Sequence, residues 1–116
     1  MEPVIDLPVV LRRLEDDSEL LRELVQLFLD DAGPRLTAIH DAVNSRDAKA
    51  LQQSAHALKG SAGNLAALGV FAAARELEQI GRSGEWTHAE ESYTALQSEL
   101  ERLTAVVVKL LAAEPA

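Results

Sequence analysis

The chain has 116 residues, a formal charge of −8 at neutral pH, 47% hydrophobic residues and no cysteine. That length suits one domain over 1–116, able to bury roughly two-thirds of its unfolded surface without staples. The charge argues against nucleic acid, whose phosphates need a broad basic surface. The lack of cysteine excludes disulfides and thiolate metal sites.

No apolar run of about 18 residues is present to cross a bilayer, and no basic segment followed by an apolar core suggests a secretory leader. The expected location is therefore the cytoplasm, and the expected state a monomer without membrane insertion. The residue pattern reads all-α throughout, rich in Ala, Leu, Glu and Arg.

In chain order, Asp6 is placed to cap a short first helix, with Pro8 in its first turn and Ile5 and Val10 spaced for a hydrophobic staple. Ser18 is the expected cap of a second helix. Its apolar positions Leu21, Val25, Phe28, Ala32, Leu36, Ile39 and Val43 step by three or four and run straight through Gly33-Pro34. The phase predicts one long helix kinked at Pro34, where a backbone donor is missing. Asn44-Ser45-Arg46-Asp47 reads as a turn, with Asp47 capping the next helix.

A fourth helix is expected to start near Gly69 and run to about Ile80, followed by a loop at Gly81-Arg82-Ser83-Gly84. Thr87 and Glu90 have capping-box spacing for the last helix. Its stripe Trp86, Ala89, Tyr93, Leu96, Leu100, Leu103, Val107 and Leu110 keeps one face apolar for about six turns. Four amphipathic helices with short connections predict an antiparallel up-down four-helix bundle, with the short extra N-terminal helix laid against one end and a core over residues 6–110. Residues from Ala112 on are expected to fray.

The helix over 48–65 carries the chemistry. From Ala48 through Arg75 this acidic chain contains no Asp or Glu, yet it holds Lys49, Lys59, Arg75 and His56. On a wheel of 100° per residue, Leu51, Ala55, Leu58, Ala62 and Leu65 form the core stripe, and His56 points roughly 140° away from it. Lys49, Gln52, Gln53, Lys59, Gly60 and Gly63 share that outer face. Each mid-helix glycine costs about 0.5–1 kcal/mol relative to alanine. Two of them one turn apart imply close approach by another backbone or a ligand, although Gly63 is also placed to end the helix early. An exposed imidazole is a nucleophile, and a neighbouring ammonium would stabilise a phosphoryl group on its ring. No phosphate-binding loop for ATP is present, and no carboxylate lies close in sequence to His56. Such a nucleophile must borrow its partner's machinery.

The run His56-Ala57-Leu58-Lys59-Gly60-Ser61-Ala62-Gly63-Asn64-Leu65 resembles the active-site helix of histidine-containing phosphotransfer (HPt) domains. Leu27-Phe28-Leu29, Pro34, Leu36, Asp47, Leu51, Ala55 and Leu77-Glu78 also fall where that family has similar residues. The resemblance implies a phosphorelay intermediate that takes a phosphoryl group from a phospho-aspartyl receiver domain onto His56 and passes it to another receiver. Lys59 would be the charge partner and Gly60 the small residue that admits the receiver. Magnesium would sit on the receiver; the chain itself would be a phosphocarrier rather than an enzyme, with no cofactor or metal of its own. The wheel, rather than the resemblance, suggests Lys49, Gln52, Gln53, Gly63, Asn64 and Arg75 as the rim. A hybrid sensor histidine kinase is a further expected partner. Two other readings share these features: a receiver-binding helical adaptor that carries no phosphate, and the phospho-accepting module of a chemotaxis-type kinase. The pattern departs at Ala66, where many members have glycine ten residues after the histidine; that bears on how the helix ends.

The other histidines read as ordinary side chains. His40 and His88 are expected to be solvated or structural. Glu85-x-x-His88 matches one element of a di-iron bundle site, but no second copy accompanies it.

Overall fold

The computed structural model describes residues 9, 12–15 and 17–112, with side chains through Lys109. Four helices follow in order: α1 (Ser18–Ser45), α2 (Ala48–Asn64), α3 (Leu68–Ser83) and α4 (Ala89–Ala112). Each packs on its neighbours in sequence, and α4 closes back on α1. The result is the expected up-down bundle, 49 × 26 × 21 Å. The tightest pairing is α2 on α3. At 28 and 24 residues, α1 and α4 outrun the 17- and 16-residue α2 and α3 by roughly two to three turns.

The core follows the sequence stripes. Val25, Phe28, Ala32, Ile39 and Val43 are buried on α1, and Leu51, Ala55, Leu58 and Ala62 on α2, with Leu65 just beyond its end. From α4 come Ala89, Leu96, Leu100, Leu103 and Val107, while Trp86 and Tyr93 pack half-buried against them. Helix α1 runs unbroken through Pro34. His40 stacks on Tyr93 with ring centroids 4.5 Å apart, tying α1 to α4. The proposed cap at Asp6, with Ile5, Pro8 and Val10, lies outside the described residues, as does Leu110's side chain and the tail beyond Ala112. Val9 and Leu14 pack on the core, and Arg13 donates to the carbonyl of Gly63 at 2.9 Å.

Several boundaries differ from the sequence reading. Asp17, not Ser18, caps α1, because its carboxylate accepts from Leu20 N at 3.0 Å. Asp47 caps α2 as expected, accepting from Ala50 N. Helix α3 continues past Ile80 to Ser83 and ends at Gly84, which takes φ 73°. Gly81 is therefore not in a loop. It is a buried contact point, where a Cβ would lie 2.8 Å from both Ala48 O and Gln52 N of α2. Helix α4 opens one residue later than a Thr87 cap requires: His88 O accepts its first bond, from Ser92 N at 2.9 Å.

Helix α2 leaves through a left-handed residue, Ala66, at φ 50°. Ala66 N donates to Gly63 O and Ala67 N to Ala62 O, the paired bonds of a Schellman ending. Alanine thus fills a position that favours glycine, at a cost of about 1 kcal/mol, and the exit geometry is kept.

Candidate functional site

The site is built where α2 meets α3. His56 stands on α2 with its side chain 66% exposed, and its Nδ1 lies 2.5 Å from Oε2 of Glu78 on α3. The other carboxylate oxygen of Glu78 accepts from Lys59 Nζ at 2.6 Å. Arg82, one turn further along α3, approaches Oε2 at 3.5 Å. The Glu78 side chain is only 3% exposed, so a buried carboxylate joins three cationic or titratable groups from two helices. Lys59 also lies 6.0 Å over the Phe71 ring.

Glu78 is held below its ordinary carboxylate range, first by the hydrogen bond from Lys59, then by that from His56 and by the charges of Lys59 and Arg82, against an opposing effect of burial. An ionised carboxylate only accepts hydrogen bonds. The proton in the His56–Glu78 contact therefore resides on Nδ1. In the neutral ring, Nε2 then keeps its lone pair.

No carboxylate lies close to His56 in sequence, but the fold brings one from 22 residues away, on another helix. Lys59 is also less outward than the wheel implies. Its side chain is 23% exposed, because its ammonium turns inward to Glu78. One signal in the sequence points to this acid. Val70, Ala74, Leu77, Glu78 and Gly81 are the buried positions of α3, so Glu78 occupies a core-phase position where an unpaired charge would be costly. Arg82 escapes sequence reasoning because a loop is expected there.

The remaining residues divide into separate places. Lys49, Gln52 and Gln53 line one groove of about 340 Å³ with His56, Glu78 and Arg82. Gly60 is exposed, and a Cβ there would meet nothing within 4 Å. Gly63 is half-buried beside the Phe71 ring, with its carbonyl bonded to Arg13; its close neighbour lies within the molecule. Asn64 faces the other seam, in a groove shared with Leu24, Leu27, Phe28 and Asp31 of α1. Arg75 is exposed on the α3 stripe of Phe71, Glu78 and Arg82, which spans about 60° of the helix. His88 pairs with Glu91 at the surface. Among the described residues, no cluster of three His, Cys, Asp or Glu is placed to hold a metal ion, and no helix is long and apolar enough to cross a membrane.

Known proteins bear on this arrangement. The family model described as Hpt domain matches residues 23–106. The chain is similar to the crystal structure of histidine-containing phosphotransfer protein B (HptB) from Pseudomonas aeruginosa PAO1, with a TM-score of 0.90 at 25% identity, covering 99% of this chain and 100% of that one. No curated protein sequence matches the chain.

Proposed function

The chain belongs to the Hpt domain family, the phosphocarrier modules of phosphorelays, and on that premise we propose that His56 is its phospho-accepting residue. The observation that carries this reading is the 2.5 Å contact between Nδ1 and Glu78 on a side chain that is 66% exposed. It supports attack through Nε2, because the other nitrogen is engaged. The Nε2 lone pair attacks the phosphorus of a receiver's aspartyl phosphate. The acyl P–O bond breaks, and its electron pair stays on the aspartyl carboxylate. No proton need leave the ring, so the ring becomes cationic, and the ionised Glu78 balances that charge through Nδ1–H. Handing the group to a second receiver reverses these steps.

In this reading the chain brings no ATP site and no metal of its own; the receiver supplies magnesium and an acidic pocket. Gly60 offers open space for the receiver to approach, while Lys49, Gln52 and Gln53 line the groove beside the ring. A hybrid sensor kinase would be the source of phosphate upstream, and the carrier would act as a monomer in the cytoplasm.

Incubation with a phosphorylated receiver, followed by phosphopeptide mapping, tests the assignment. The label should sit on His56, be lost in acid and survive in base, and His56→Gln should take up none. Label on Ser61 or His40 sinks the assignment. A chain that binds receivers yet gains no label is an adaptor, and one labelled only by an ATP-binding kinase domain is a chemotaxis-type module.

A further inference from the structure

We propose that Arg82, rather than Lys59, is the cation that contacts the phosphoryl group on His56, and that Lys59 is a positioning residue acting through Glu78. This rests on the phosphocarrier reading above and departs from the assignment that the resemblance implies for Lys59. The case turns on what each cation would have to give up. The Lys59 ammonium is bound at 2.6 Å to a carboxylate that is 3% exposed, and it sits against Phe71. Turning outward would strip Glu78 of the hydrogen bond that contributes most to keeping it ionised. Removing one partner from a buried ion pair is strongly unfavourable, because the other charge stays buried and uncompensated. Without an ionised Glu78, the Nδ1 proton of His56 also loses its charged acceptor. Lys59 therefore serves transfer best by staying where it is.

Arg82 has no such commitment. Its side chain is 60% exposed, and its nearest guanidinium nitrogen is 3.5 Å from Glu78 Oε2, long for a charge-assisted bond. That oxygen is the one His56 Nδ1 contacts, so the guanidinium stands beside the ring. Arg82 and His56 also line the same groove. A guanidinium presents five N–H donors in a rigid fork suited to two anions at once. One edge can remain on Glu78 while the other meets phosphoryl oxygens. Lys49 lines the same groove, but it stands two turns before His56 on its own helix.

The test compares Arg82→Gln, Arg82→Lys and Lys59→Gln with the wild type, each loaded by a phosphorylated receiver. Three quantities are read: the uptake rate, the phosphorus-31 resonance of the phosphohistidine, and the melting temperature. Arg82→Gln should melt like the wild type, take up phosphate about tenfold more slowly and shift the phosphorus resonance. Arg82→Lys should recover part of the rate. Lys59→Gln should lose rate and melting temperature together, while its loaded fraction keeps the wild-type resonance. If Arg82→Gln loads at the wild-type rate with an unmoved resonance, or if Lys59→Gln is the variant that shifts it, the inference is overturned while the carrier reading stands. A wild type that takes no label on His56 overturns both.

Discussion

The Nδ1 of His56 lies 2.5 Å from a carboxylate oxygen of Glu78, a residue 22 positions later on a different helix. This contact sets which ring nitrogen carries the proton, and it gives the ring a counter-charge that nothing on its own helix provides. The same carboxylate fastens Lys59, so one buried acid organises both the nucleophile and the Lys59 ammonium.

Glu78 should leave a signature in acid. Its folded value is lowered from an ordinary 4.5. The stability it contributes is therefore fully present above that value and is lost as pH falls through the lowered one. The stability gap between wild type and Glu78→Gln should be widest near neutral pH and close progressively below about pH 4.5. Urea denaturation at stepped pH measures it. Phosphate uptake by Glu78→Gln should fall about ten- to hundredfold, since an amide accepts from Nδ1 but cannot balance the cationic ring. A gap that does not change with pH would show that the carboxylate charge is not what holds this seam.

The glycines should separate by environment. Gly60 faces open space, so Gly60→Glu should fold, with helix propensity if anything improved. Its uptake from a receiver should nonetheless drop sharply, through bulk and through repulsion from the acidic pocket. Gly81→Ala should do the reverse and destabilise by about 1–3 kcal/mol, because its methyl would meet the α2 backbone at 2.8 Å. Circular dichroism melts paired with transfer rates distinguish the two outcomes.

Arg46 ends α1 in the left-handed region, at φ 54°, and its N–H caps the helix carbonyls. The residue is exposed, so little packing is lost on replacing it. Arg46→Gly should therefore raise stability by about 0.5–1 kcal/mol, with transfer unchanged. A lower melting temperature would mean that the side chain contributes more than the strained backbone costs.

His40 is a histidine of another kind. Its ring stacks on Tyr93, so His40→Ala should cost about 0.5–1.5 kcal/mol of stability and still accept phosphate at the wild-type rate. Loss of uptake in the folded variant would tie the α1–α4 contact to the transfer site.

Much of this molecule was legible from periodicity. The stripes of α1, α2 and α4 step by three and four, and such a face can only be buried, which determines those three helices and their share of the core before any contact is known. The phase through Pro34 predicted one long α1, kinked there, and the helix is continuous; the outward angle of His56 followed from the stripe of α2. Boundaries were harder, because neighbouring residues compete for the same cap: Asp17 outbid Ser18, and the turn before α4 moved its start to Ala89. Gly81 was misread for a similar reason, since a glycine that ends a helix and one that admits another backbone look alike in one dimension. Tertiary structure alone decided that Glu78 joins His56 and Lys59. Sequence spacing reports which residues share one helix face. A hydrogen bond between helices depends on the register of α2 against α3, set by packing at contacts such as Gly81 on Ala48 and Gln52.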